Sequence, residues 1–324
     1  MRRVLVWALA LSFAFVVAVF LNSTTLLAPP GSGRPTLLAH RGLAQTYHRE
    51  GLTDTTCTAA RIDPPEHSYL ENTLASMEAA FRAGADIVEF DVHPTTDGAF
   101  AVIHDWSVDC RTEGKGVTRE QSLAALKALD IGYGYTADGG QTYPFRGKGV
   151  GLMPSLDEVL AAFPERRLII NVKSNDLTEG EKLADRLEKL PAEPLARLMV
   201  YGGERPIDVL RTRLPTVPVM SRASLKACAW RYLAIGWSGY VPAACRNSLL
   251  VLPANVAPFA WGWPHRFVDR MAGAGTLVFV AGDHDGGSGA SGIDTEAQFR
   301  ALPAGYGGGV WTNRIDRIGP ISKR

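Results

Sequence analysis

The stretch IVEFDVHPTTDGAFAVIHD, residues 87–105, decides how this chain folds. Ile87 to Val92 is a short apolar run rich in β-branched residues and reads as a strand. Phe100 to Ile103 is a second such run. Only Pro94 to Ala99 separates them, with the turn signal Asp97-Gly98, whereas a parallel crossover needs a dozen residues or more. The second run is therefore a hairpin return. It brings His104 and Asp105 back over the C-terminal end of the first run.

With that return set aside, eight strand candidates remain: Thr36–Ala39, Ile87–Val92, Leu168–Val172, Leu198–Tyr201, Val217–Ser221, Leu249–Leu252, Leu277–Ala281 and Gly309–Thr312. Helix candidates alternate with them, at Thr73–Ala83, Leu156–Ala162, Gly180–Leu190, Pro206–Leu214, Leu225–Ile235, His265–Ala272 and Thr295–Leu302. Such alternation argues a parallel sheet in an α/β fold. Eight repeats in about 280 residues suit a (β/α)8 TIM-type barrel better than a doubly wound sheet. The barrel accounts for residues 36–324, with a long insertion at 43–70 between the first strand and its helix that forms a lid or rim.

The other end of the chain is different. Arg2 and Arg3 precede Val4 to Leu21, an uncharged apolar run. A spanning helix needs about 17 to 25 residues and a signal-peptide core about 7 to 15, so residues 1–28 read as a membrane anchor or a signal peptide. No convincing small-residue cleavage site follows, which favours an anchor at 4–21 with its basic end in the cytoplasm. Residues 29–35 form a linker. The barrel is then expected on the periplasmic or extracellular face, with membrane contact through the N-terminal segment. The four cysteines agree with export: none forms a C-x-x-C pair, and an even count in an oxidising compartment suggests disulfides. The expected pairs are Cys57–Cys110 and Cys228–Cys245.

The 34 basic and 33 acidic side chains leave almost no net charge, so no nucleic-acid partner is expected and small-molecule chemistry is favoured. That chemistry concentrates at three strand ends: His40-Arg41-Gly42, Glu89-x-Asp91 with its hairpin His104-Asp105, and Asn171-x-Lys173. Period-two spacing puts Glu89 and Asp91 on one face, and Asn171 and Lys173 on one face. If those faces point into the barrel mouth, two carboxylates and an amide oxygen converge. Hard oxygen donors suit one divalent cation, Mg²⁺ or Ca²⁺. His40 and His104 are candidates for general acid and base, and Arg41 and Lys173 for gripping a phosphate. Glu71 either favours a helix start or orients Arg41.

These residues resemble the glycerophosphodiester phosphodiesterase family. The matching pieces are LLAHRG at 37–42, Glu71-Asn72-Thr73, GADIVEFDV at 84–92, TTDG at 95–98 and VIHD at 102–105. The resemblance implies a TIM-type barrel, catalytic His40 and His104, a metal on Glu89 and Asp91, and a phosphate held by Arg41 and Lys173. It also implies a phosphoric diester hydrolase that releases an alcohol and glycerol 3-phosphate through a cyclic phosphate. The chain departs from the family pattern in three places. Asn171 stands where a third carboxylate is usual, Gly282-Asp283-His284-Asp285 replaces the usual Trp-Thr-Val, and Trp311-Thr312-Asn313-Arg314 lacks the usual final aspartate. Two other readings remain open: a phospholipase D-like enzyme acting on lysolipids, with Trp261-Gly262-Trp263-Pro264 walling a lipid pocket, and an inactive barrel that only binds phosphodiesters. Gly287-x-Gly289-x-x-Gly292 matches a dinucleotide fingerprint by letters but lacks the βαβ context, so it reads as a rim loop.

Overall fold

A computed structural model of the chain describes residues 2–24, 33–53, 56–284 and 291–322. Nine strands are present among them: β1 (Thr36–His40), β2 (Ile87–Pro94), β3 (Phe100–Val102), β4 (Arg167–Val172), β5 (Leu198–Gly202), β6 (Val219–Ser221), β7 (Leu249–Pro253), β8 (Leu277–Ala281) and β9 (Gly309–Thr312). All but β3 pair in parallel, in the order β6-β5-β4-β2-β1-β9-β8-β7. This is a nearly closed (β/α)8 barrel. The seam between β6 and β7 is bridged by the Ser248 hydroxyl, which donates to the Val219 carbonyl at 2.8 Å. β3 pairs antiparallel with β2, as a hairpin return must.

The helices are α1 (Arg2–Ser23), α2 (Leu74–Ala83), α3 (Leu123–Lys127), α4 (Leu156–Ala162), α5 (Leu177–Leu187), α6 (Ala192–Leu195), α7 (Glu204–Arg213), α8 (Arg222–Ile235), α9 (His265–Gly273), α10 (Glu296–Arg300) and α11 (Ile315–Ser322). The strand period sorts side chains onto two faces. Leu37, Ala39, Val88, Phe90, Leu168 and Ile170 belong to the large cluster packed against the helices. Leu38, Ile87, Ile169, Met199, Phe279 and Trp311 fill the barrel interior. His40, Glu89, Asp91, Asn171, Lys173 and Tyr201 share the parity of that inner face, at the C-terminal ends of the strands.

Several boundaries differ from the sequence expectation. β6 begins at Val219 rather than Val217, because Pro218 accepts from Val200 through its carbonyl but has no N–H to return. α5 begins at Leu177 rather than Gly180, because Asp176 caps it by accepting from the Thr178 N–H. α3, α6 and α11 were not anticipated. The first two are a turn or so long, and α11 contains Pro320, which reads as a breaker.

Both expected disulfides form. Cys57–Cys110 joins the 43–70 insertion to the segment after the hairpin, and Cys228–Cys245 ties α8 to the approach to β7. α1 is long and apolar enough to cross a membrane, and none of its residues is buried. Most of the 29–35 linker lies outside the described residues, as do Asp285, Gly287 and Gly289 of the rim loop.

Candidate active site

The turn after β1 sets the site. Gly42 has φ of +78°, and a Cβ there would come within 2.6 Å of the Ser76 hydroxyl and 2.9 Å of its backbone. Only glycine lets the chain pass so close to the start of α2. Arg41 and Asn72 also adopt left-handed conformations, each with φ of 60°. The Arg41 N–H then reaches Glu89 Oε2 at 3.2 Å, and its guanidinium lies 3.1 Å from both Glu71 and Asp91. α2 starts at Leu74 behind the Thr73 cap, so Glu71 stands outside the helix. It orients Arg41 rather than serving the helix dipole.

Strand register does the rest. β1 and β2 align His40 with Glu89, while β2, β4 and β5 align Asp91 with Asn171 and Asn171 with Tyr201. Asp91 accepts from Asn72 at 3.0 Å and Asn171 at 2.8 Å, and Lys173 Nζ stands 3.6 Å away. Glu89 accepts from the Tyr201 hydroxyl at 2.7 Å. Burial, then the neighbouring Asp91 charge, pushes Glu89 up. Asp91 is equally buried, but Arg41 and Lys173 outweigh that burial and hold it well below the usual carboxylate range.

The two histidines are anchored alike through Nδ1. His40 Nδ1 lies 2.7 Å from Asn313 Oδ1, and the Asn313 amide is held by Asp294, which accepts from Nδ2 at 2.8 Å. His104 Nδ1 lies 2.8 Å from Asp105, which accepts from Arg111 Nε at 2.8 Å. With an oxygen acceptor at each Nδ1, the neutral rings carry their proton there and keep a lone pair on Nε2. Burial and the Arg41 charge lower both rings, His40 strongly.

All eight residues singled out in the sequence therefore converge: His40, Arg41, Glu71, Glu89, Asp91, His104, Asn171 and Lys173. Sequence reasoning missed Asn72, Arg111, Tyr201, Asp294 and Asn313 as partners of the site. Arg111 is nearly inaccessible and joins two parts of it, meeting Asp105 on one side and Glu71 Oε1 at 3.2 Å on the other. Asn72 lay inside a quoted motif, but its reciprocal pair with Asp91 depends on backbone conformation. Asn313 also lay inside a quoted stretch, read only as lacking an aspartate; Arg111 follows Asp105 by six residues, and Tyr201 and Asp294 sit on distant segments with no local signal.

The donor set fits a hard divalent cation in part. Glu89 and Asp91 are side by side and wholly buried, and their mutual repulsion would be relieved by a cation between them. Asn171 presents its amide nitrogen to Asp91, so service as a ligand requires the amide plane to turn over. Among the described residues no three His, Cys, Asp or Glu side chains form a cation cluster. A cation here would rest on Glu89 and Asp91, with Asn171 supplying a neutral oxygen.

A cavity of about 60 Å³ opens beside His40 and Arg41. Ala44 to Tyr47 and Arg49 line it, so the 43–70 insertion forms its rim; Glu71, Asp294 and Asn313 complete the wall. Trp261 and Trp263 do not line it. Trp263 packs on Phe267 and Tyr306, and Trp261 Nε1 donates to the Leu233 carbonyl, so these tryptophans are packing residues. The His284 backbone is held by the Asn255 side-chain amide, which donates Nδ2–H to the His284 carbonyl and accepts from its N–H, and His284 is likewise absent from the cavity.

The profile of the Glycerophosphoryl diester phosphodiesterase family matches residues 40–191. A glycerophosphodiester phosphodiesterase of Bacillus subtilis is 38% identical over 164 residues, 46% of this chain and 55% of the relative. One from Caldanaerobacter subterraneus is 35% identical over 103 residues, 32% of this chain and 39% of its own length. These matches thus span about half or less of the curated relatives. Solved structures extend the likeness along the barrel. The glycerophosphoryl diester phosphodiesterase domain of Rv2277c from Mycobacterium tuberculosis superposes with a TM-score of 0.59 at 17% identity, covering 90% of this chain and 98% of that one. An Oleispira antarctica phosphodiesterase, solved with the product sn-glycerol-3-phosphate, gives a TM-score of 0.55 at 20% identity over 90% of this chain and 98% of its own. At such identities these two establish the fold.

Proposed function

We propose that the chain is a member of the glycerophosphoryl diester phosphodiesterase family, whose profile matches residues 40–191, and that it hydrolyses glycerophosphodiesters to an alcohol and glycerol 3-phosphate. The observation that carries this reading is the pair of Nδ1-anchored histidines beside one cluster of buried carboxylates and cations. The two rings act as proton acceptor and donor. One takes the proton of the glycerol hydroxyl next to the phosphate, and that oxygen attacks phosphorus. The other, in its imidazolium form, protonates the departing alkoxide from Nε2, leaving a cyclic phosphate, which water opens with the two rings in exchanged roles. His104 is among the groups acting on His40, and Asp91 acts on both rings, which supports a shared site. Arg41 and Lys173 offset charge on the phosphoryl oxygens. A divalent cation, Mg²⁺ or Ca²⁺, held by Glu89 and Asp91 with Asn171 would supply further charge stabilisation there.

The cavity beside His40 and Arg41, only about 60 Å³, favours a deacylated diester over a lysolipid with its acyl chain. Purified protein is assayed on glycerophosphocholine and on lysophosphatidylcholine, with and without chelator. Turnover of the deacylated substrate, lost with chelator and restored by Mg²⁺ or Ca²⁺, is the expected result. Turnover of lysophosphatidylcholine alone would make this a lysolipid enzyme, and no turnover of either would leave a binding barrel. Full activity after exhaustive chelation, with no metal by elemental analysis, would remove the cation from the reaction.

A further inference from the structure

α1 has 22 residues and, beyond Arg2 and Arg3, no charged side chain. At about 1.5 Å per residue it is ~33 Å long. A bilayer's hydrocarbon is about 30 Å thick, so a spanning α1 leaves little slack between lipid and barrel. Its C-terminal end is also captured. Arg270 Nη2 donates to the Asn22 carbonyl at 2.6 Å and to Asn22 Oδ1 at 2.9 Å, and Arg266 Nε donates to the Thr24 carbonyl at 2.8 Å. Asn22 Nδ2 in turn donates to the Trp237 carbonyl at 2.6 Å. These bonds satisfy carbonyls that a helix end leaves open and hold two arginines at that level.

The contact continues down the helix. The rings of Phe15 and Trp237 meet edge to face at 5.0 Å. Phe15 lies about 10 Å below Asn22 along the helix axis. If Asn22 marks the headgroup boundary, Trp237 reaches past it. From Trp237 an apolar stripe runs back along α8, at the helical spacing of Leu233 and Trp230, which are 42% and 73% exposed. Lys226 and Arg231 flank the stripe at the surface. Indole rings favour the headgroup level of a membrane, and basic side chains favour anionic lipid.

We propose that the barrel itself rests on an anionic lipid bilayer through the outer face of α8 and the turn after it, with α1 spanning the membrane and fixing the depth of that contact. The occupant is lipid rather than a protein partner because the stripe is continuous with α1, an exposed apolar helix long enough to cross a membrane. The reading is independent of the reaction, since none of these residues lines the cavity beside His40.

The test uses the full chain reconstituted in phosphatidylcholine and phosphatidylglycerol vesicles with brominated acyl chains, which quench indole fluorescence at the lipid. The chain has seven tryptophans, so removing one emitter changes the quenched fraction in a direction that reports its location. Trp230→Phe keeps the face apolar and lies outside the catalytic machinery. If Trp230 faces lipid, the variant's quenched fraction falls by one tryptophan's share. If Trp230 faces water, the fraction rises; a rise or no change overturns the proposal. N-terminal sequencing of the vesicle-bound protein should begin at Met1 or Arg2, and a start beyond Ser23 overturns it by removing α1.

Discussion

His40 and His104 come from different chain segments and are held by unlike partners, an amide and a carboxylate, in the same geometry. Removing a group that transfers a proton typically costs about 10² to 10⁴-fold in rate. His40→Ala and His104→Ala should each lower kcat by that order while the thermal transition of the folded protein stays close to wild type. The double variant should fall short of the product of the two. A single variant with wild-type kcat on its best substrate would take that histidine out of the reaction. Asn171 offers a second prediction. It faces Asp91 as a neutral partner, and Asn171→Asp adds a charge to the donor set, so Mg²⁺ or Ca²⁺ should bind more tightly by calorimetric titration. An unchanged titration would place Asn171 outside the cation's contacts.

At the scale of elements, local rules explain most starts. Thr73, Ser155, Ser221 and Thr295 each cap a helix by accepting from the backbone three residues on, with a reciprocal side-chain bond. α5 is less orthodox, because Glu179 in its first turn is buried and its Oε1 finds no hydrogen-bond partner, while Oε2 accepts from Ser174. Burial pushes this carboxyl above its ordinary 4.5. The native state therefore binds more protons than the unfolded chain between 4.5 and the raised value. That contribution is fully present below 4.5 and is lost as pH rises through the native value. Glu179→Gln should remove this dependence and raise Tm relative to wild type at pH 7 to 8. Melting curves of the two proteins that run parallel from pH 4 to 8 would contradict the assignment.

On the scale of the whole molecule, the barrel is continuous through seven parallel pairings and weakest at the β6–β7 seam. There Val219 N donates to the Asn247 carbonyl at 3.4 Å and Ser248 Oγ donates to the Val219 carbonyl at 2.8 Å, while the Ser248 N–H turns to Thr276 Oγ1 on the β8 side at 3.0 Å. A hydrogen bond of this kind contributes about 1 kcal/mol, and leaving a buried partner unpaired costs about 1 to 3. Ser248→Ala should lower stability by about that much and speed hydrogen exchange selectively at Val219 to Ser221. Uniform exchange changes around the barrel would show that the seam is not a local weak point.

The sequence by itself determined the barrel, the hairpin and the places of His40 and His104 at the ends of two strands, because each is written in short-range pattern. The seven-residue gap between Val92 and the return at Phe100 forces a hairpin whatever lies elsewhere. The period-two placement of Glu89 with Asp91 holds in any strand, and the HRG, EFDV and IHD pieces are contiguous. Even the pairing of Cys57 with Cys110 was reachable, since one lies in the loop-like 43–70 insertion and the other in the loop-like segment after the hairpin. Only the tertiary structure decided what holds those groups in place. Tyr201 meets Glu89 through barrel register, Asn313 and Asp294 reach His40 from the far end of the chain, and Arg111 joins Asp105 to Glu71 across the loop. These contacts join segments up to 273 residues apart and depend on register and backbone conformation, quantities that no local spacing encodes.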